Sequence, residues 1–202
     1  NYTYGLTQIN APTAWEEFHV SGENVNVTVI DTGVNNSHPD ISLNDGDSTD
    51  NYNGSWAVFN KSTNTDSGYE DYEGEAAPEP QDAGNRGHGT HVSGTVAGGD
   101  STGTHIGVAP NVTLQHALVF DKYDGYTGVR AKQSDIVRAI QWGVNNEADV
   151  ITLSLGGDPD TSSITATKNA RENGVIVISS SGNGGDGTTT DPASVNNVTA
   201  IG

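Results

Sequence analysis

At 202 residues the chain is long enough for one sizeable hydrophobic core, and no linker divides it into two apolar units. Its 26 Asp and Glu stand against 8 Lys and Arg, and the resulting formal charge of -18 argues against nucleic acid or an anionic membrane surface as a partner. Cysteine is absent, which excludes a disulfide framework and thiol catalysis.

Charge this negative repels itself in dilute buffer and is relieved by molar salt, so the composition reads as halophilic, with a haloarchaeal source expected. Regularly spaced apolar runs predict a fold in spite of the acidity. A short helix is expected from Pro12 to Phe18, opened by its proline. The run VNVTVI, with Val25, Val27 and Val29 alternating, predicts a strand over residues 25–30. Residues 44–82 are polar, rich in Gly and Asp, and punctuated by Pro78 and Pro80; they read as a long acidic surface insertion. A strand is expected over 112–120, then a helix capped by Ser134 whose Ile136, Val137, Ile140 and Val144 fall at helical spacing. Further on come a strand over 150–155, a helix over 163–173 ended by Gly174, and strands over 175–179 and 198–201. The alternation predicts one α/β domain over 1–202, a mostly parallel central sheet layered between helices, with ligands outside the carboxyl ends of the strands.

Three segments carry candidate chemistry at that edge. Asp31 ends the first strand in VIDTGV, a place where a lone Asp more often serves a turn. His88 opens HGTHVSGTVAG, in which Val92 and Val96 lie one helical turn apart and Gly89 and Gly94 permit close packing, so the imidazole is expected at a helix start. Gly182 and Asn183 follow VIVISSS and open the loop GNGGDG. An Asn amide at a strand-end loop can donate to an oxyanion.

Together VIDTGV, HGTHVSGT and SSSGN resemble the subtilisin-like serine peptidases, the subtilases, in wording and in order. The likeness runs from YGLTQINAP through SHPD (Ser37 to Asp40), IGVAP (Ile106 to Pro110) and ITLSLGG (Ile151 to Gly157) to the last residues; only the acidic insertion lacks a counterpart. It implies a subtilisin-like three-layer fold and a serine endopeptidase that acts on extended polypeptide through an Asp-His-Ser triad. His88 is then the general base, Asp31 its orienting carboxylate and Asn183 the oxyanion donor. Ser154, Leu155 and Gly156 match the segment that pairs with substrate, and Gly182 lies beside the primary specificity pocket. The family's nucleophile sits in a Gly-Thr-Ser-Met-Ala-type segment, and this sequence holds no Met and no such segment. The domain is therefore expected to be incomplete at its C-terminal end, and the 202 residues alone to be inactive. Ser93, inside a helix, and residues 179–181, in a strand, lack a nucleophile's setting.

Calcium is a candidate ligand not required for the chemistry. Asp40 matches one ligand position of the family's tight site, with Ser101 replacing an amide side chain in the loop over 98–105, whereas Asp45, Asp47 and Asp50 do not follow an EF-hand order. Two rival readings stand beside the peptidase. One is a metal hydrolase using His88, His91, Asp31, His38 and Asp40; the other is a non-catalytic pseudopeptidase that holds extended peptides. His19, His105 and His116 read as ordinary surface or core residues. Asn-x-Ser/Thr acceptors at Asn1, Asn26, Asn35, Asn53, Asn60, Asn111 and Asn197 suit a secreted glycoprotein. No apolar run reaches the length of a membrane span, no signal peptide is visible, and a start at Asn1 without Met is expected to reflect processing or cutting.

Overall fold

Short runs of Val, Ile, Leu and Thr are too apolar to stay in water on either side, and they form a sheet covered on both faces. The structure, a computed structural model, describes residues 1–41, 56–59, 80, 82, 87–122, 129–196 and 198–202. In chain order the elements are α1 (Tyr4–Gln8), α2 (Ala11–Phe18), β1 (Asn26–Asp31), β2 (Trp56–Val58), α3 (His88–Ala97), β3 (Thr113–Leu118), β4 (Phe120–Lys122), β5 (Val129–Ala131), α4 (Gln133–Asn145), β6 (Val150–Leu153), α5 (Thr161–Glu172), β7 (Ile176–Ser180) and β8 (Thr199–Ile201). Six strands lie in the order β2-β3-β1-β6-β7-β8, and every neighbouring pair is parallel. β4 and β5 make a separate antiparallel ribbon.

Alternation along the strands sorts the core into two layers. Val29, Leu114, Leu118, Trp56 and Val58 turn to one face, against Val92 and Val96 of α3. Ile30, Ala117, Ile151, Leu153 and Val177 turn to the other, against Ile136, Ala139 and Ile140 of α4 and Ala170 of α5. Each Val, Leu or Ile among them contributes roughly 1.5–3 kcal/mol when fully buried. The product is the expected three-layer α/β/α arrangement.

Several boundaries differ from expectation. The strand expected over 112–120 breaks at Val119, whose N–H still bonds the carbonyl of Asp31. Beyond that residue β1 offers no further partner, and Phe120 pairs with Ala131 instead. Ser134 does not cap α4: Lys132 holds the cap position, with no capping hydrogen bond from its side chain, and the Ser134 hydroxyl lies 3.4 Å from Asp135 Oδ1 inside the first turn. α5 starts earlier than expected because Asp160 accepts hydrogen bonds from the N–H groups of Ser162 and Ser163. Gly174, at φ 88°, closes it as expected.

The acidic stretch over 44–82 also needs correction. Trp56, Ala57, Val58 and Phe59 within it are buried core residues, and β2 is an edge strand of the main sheet. Apart from these, Pro80 and Asp82, the stretch lies outside the described residues, and so do Asp45, Asp47, Asp50, Asn53, Asn60 and Pro78; Asn197 also lies outside them. Asn26, at the start of β1, is half-buried, and its amide donates to the Glu147 carbonyl at 3.0 Å. Among the described residues no helix is long and apolar enough to cross a membrane.

Candidate active site

β1 delivers Asp31 to its carboxyl end on the face that α3 covers, and there the side chain is fully buried. Its Oδ1 accepts two hydrogen bonds, from His88 Nδ1 at 2.7 Å and from the Thr32 N–H at 2.7 Å. The other oxygen, Oδ2, is buried with no hydrogen-bond partner among the described residues. Burial pushes the Asp31 carboxyl up from its ordinary pKa, against the pull of the bonds from His88 and Thr32.

His88 is the first residue of α3, and its side chain is 52% exposed. A carboxylate oxygen can only accept, so Nδ1 carries a proton, and in the neutral ring Nε2 then presents a lone pair on the exposed side. Two glycines put the imidazole there. Gly87 caps the helix at φ 64°, a left-handed turn that costs a side-chain-bearing residue more. Gly89 lies so close to the turn after Asp31 that a Cβ on it would fall 2.1 Å from the Gly33 carbonyl oxygen. Gly94 was expected to serve the same close approach and does not, because a Cβ there would meet Ile41 at an ordinary 3.7 Å.

A carboxylate that the sequence had hidden among solvated acids fastens this corner. Asp82 Oδ1 accepts from the Thr32 hydroxyl at 2.8 Å, while Oδ2 accepts from the N–H and the hydroxyl of Thr90 at 2.9 and 2.6 Å. The Thr32 oxygen in turn accepts from the Gly89 N–H at 2.9 Å. A negative charge at the first turn of a helix is favourable in itself. Here it also ties the residue after Asp31 to the turn that carries His88. His116 was missed in a similar way: it is fully buried, its Nε2 accepts from the Gly33 N–H at 3.2 Å, and its Nδ1 lies 3.0 Å from the Ser93 hydroxyl.

β1, β6 and β7 are neighbours with Ile30, Leu153 and Ser179 in register, so Asp31, Ser154 and Gly182 emerge at one edge of the sheet. Adjacent strands are about 4.8 Å apart, which sets the ends of β1 and β7 roughly 10 Å from each other. Leu155 is buried, Ser154 is half-buried and Gly156 is exposed. Gly182 turns at φ 103°, and the Asn183 side chain is exposed with no hydrogen bond among the described residues. Thr190 sits between the two loops: a Cβ on Gly156 would fall 2.1 Å from its hydroxyl oxygen, and one on Gly182 2.9 Å from it. Gly157 and Asp191 exchange backbone hydrogen bonds at 3.1 and 3.2 Å and hold these loops side by side. A cavity of about 410 Å³ opens there beside Leu155, Gly156 and Pro192. A larger one of about 990 Å³, lined by Leu6, Ile41, Thr90, His91 and Ile106, includes neither His88 nor Asn183.

The metal reading finds no support in these positions. Among the described residues no group of three or more His, Asp or Glu is placed to hold an ion, and His91 turns to solvent on α3. Asp40 Oδ1 accepts from the Ser101 N–H at 2.6 Å, and hydrogen bonding by Ser101 holds its carboxyl below the usual range. Calcium takes six to eight oxygens, backbone carbonyls included, and to such a shell Asp40 would supply its carboxylate.

The Subtilase family's sequence profile matches residues 22–202. The chain belongs to the subtilase family. This subtilase is 36% identical over 205 residues to the "Major intracellular serine protease" of Bacillus subtilis (strain 168), a match covering 98% of this chain and 56% of that protein. It is 32% identical over 204 residues to "Subtilisin E" of the same strain, with 98% of this chain and 45% of the relative covered. The solved structure of a cold adapted subtilisin-like serine proteinase superposes with a TM-score of 0.64 at 27% identity, over 91% of this chain and 56% of that one. The subtilase chain thus spans about half the length of the relatives it matches.

Proposed function

We propose that the protein is a serine endopeptidase to which this chain contributes the base, its orienting carboxylate and an oxyanion donor. The observation that carries the reading is the 2.7 Å bond from His88 Nδ1 to the buried Asp31, which leaves Nε2 as the accepting nitrogen on an exposed ring. A serine beyond Gly202 is the expected nucleophile. Its Oγ attacks the peptide carbonyl carbon while its proton passes to His88 Nε2. The C–N bond then breaks as the same proton moves to the departing amine nitrogen, and water repeats the sequence on the acyl-enzyme. Asp31 stabilises the imidazolium between the two transfers, and the Asn183 amide donates to the carbonyl oxygen as it becomes an oxyanion.

Extended polypeptide is the proposed substrate, laid along Ser154, Leu155 and Gly156 with one side chain directed toward Gly182. Three serines near the strand ends or on α3 are otherwise engaged: Ser93 with His116, Ser179 with the Leu153 carbonyl and Ser180 with the Leu155 carbonyl. The 202 residues alone are accordingly proposed to hydrolyse peptides negligibly. Secretion is proposed with the peptidase reading and is tested by fractionating the source culture.

The deciding experiment assays the full-length gene product on a casein-derived peptide, with and without a sulfonyl fluoride. The expected result is hydrolysis, a label on one serine beyond Gly202, and loss of about three or more orders of magnitude in kcat in His88→Ala. Hydrolysis undiminished in that variant overturns the assignment. Peptide binding without hydrolysis by the intact protein replaces it with a binding role.

A further inference from the structure

We propose that His116 is a positioning residue for the Asp31–His88 pair, a neutral imidazole protonated on Nδ1 that joins the turn after Asp31 to helix α3. This rests in part on the peptidase reading above. The chain of contacts stands by itself.

His116 lies in the middle of β3, paired with Val29 of β1 on one side and Trp56 of β2 on the other. Parallel register places its side chain on the α3 face, the face to which Asp31 also turns. The ring is fully buried and packs at 5.9 Å against the Trp56 ring. A space-filling apolar side chain would satisfy such a site, so the polar atoms need a reason. Nε2 supplies one, because it is the acceptor for the Gly33 N–H at 3.2 Å. A backbone N–H can only donate, hence Nε2 is unprotonated, and the single ring proton is on Nδ1 and donates to Ser93 Oγ at 3.0 Å.

The two partners make this bond pair more than core chemistry. Gly33 lies two residues beyond Asp31 and is wedged against the first turn of α3, where a Cβ on Gly89 would strike its carbonyl. Ser93 is on α3, five residues beyond His88. His116 therefore grips the strand-end turn with one nitrogen and the helix with the other, beneath the seam that the Asp31–His88 bond spans. Asp82, the carboxylate acting electrostatically on the ring, is engaged with Thr32 and Thr90 across the same seam. Burial keeps the imidazole neutral, with its pKa pressed down to about 3. Protonation would set an N–H against the Gly33 N–H, which a neutral Nδ1–H tautomer avoids.

The test uses ring-nitrogen NMR on the protein and kinetics on the full-length product, for the parent and for His116→Leu, His116→Gln and Ser93→Ala. The parent is expected to show His116 as the Nδ1–H tautomer without titration between pH 8 and 5; an Nε2–H tautomer overturns the proposal. In His116→Leu the downfield Nδ1–H resonance of His88 is expected to be lost to solvent exchange, with kcat down about tenfold at unchanged KM. His116→Gln, which can still accept from Gly33 and donate to Ser93, should recover most of both. If the Leu variant fails to fold, Ser93→Ala carries the same test, because it removes the Nδ1 partner and little bulk. A resonance retained in full in Leu and Ala variants that fold, or a Gln variant no better than Leu, reduces His116 to packing and overturns the proposal. The NMR arm needs no peptidase activity, so a failed peptidase reading and a failed positioning role give different results.

Discussion

Three ionisable side chains meet within a few residues of the end of β1, and their surroundings assign them different states. Asp31 is buried and raised, His88 is half-open to solvent, and His116 is sealed and neutral. The last of these has a consequence for stability. Unfolded, His116 takes up a proton near its ordinary 6.5; folded, it does so only near 3. Between those values the unfolded chain binds more protons, so stability is lost as pH falls through that window. About 2 kcal/mol should disappear between pH 6.5 and 5, before the bulk of the carboxylates titrate. Urea unfolding at the two pH values should show that loss in the parent and little of it in His116→Gln. Equal losses in both would mean that another group drives the acid sensitivity. Asp31 and His88 were legible because each stands in a distinctive run beside a predicted strand end or helix start. Asp82 and His116 were not: one is a carboxylate among many, and the other finds its partners 83 and 23 residues away along the chain.

At the scale of elements, periodicity located β1, β3, α4, β6 and β7, and end chemistry decided where the helices start and stop. α4 and α5 make the contrast. Both begin near a Ser or Asp able to cap, yet only Asp160 reaches the free N–H groups, at 2.8 and 3.4 Å. Replacing it with Ala should cost about 1 kcal/mol, the usual worth of such a cap. Ser134→Ala, in the first turn of α4, should stay within about 0.5 kcal/mol. Thermal unfolding of the two variants checks both figures, and equal losses would place the α5 start under packing control. The antiparallel β4–β5 ribbon was invisible for another reason. Nothing local in residues 112–120 announces that β1 ends at Asp31, and it is that ending which frees Phe120 to pair elsewhere. The buried Trp56–Val58 strand was masked because the surrounding composition is so polar that three residues could not shift its average.

Across the whole molecule, charge and coverage act together. The described residues of α4 and α5 pack one face of β1, β6 and β7, whereas on the α3 side of β6 to β8 the described residues leave Thr152, Ser154, Ile178 and Ser180 half-buried and Ile176 and Ile201 50% and 55% exposed. A net charge of -18 pushes against this partly open core, and eight Lys and Arg cannot neutralise it locally. The Arg138–Asp135 and Lys168–Glu172 pairs, at 3.7 and 3.8 Å, span single turns of their own helices. Long-range repulsion therefore remains to be screened. The Debye length falls from about 10 Å at 0.1 M to about 3 Å at 1 M salt, so the melting temperature should rise by several degrees or more between 0.1 M and 2 M KCl. Salt also strengthens apolar burial, and charge removal separates the two causes. Glu16, Glu17, Asp158 and Asp186 are exposed carboxylates, so changing all four to their amides leaves the apolar core untouched. If screening dominates, that variant should be more stable than the parent at 0.1 M and respond less to added KCl. An unchanged salt response would instead assign the effect to tighter burial of the core and of the exposed isoleucines, and would make the acidic surface a matter of solubility alone.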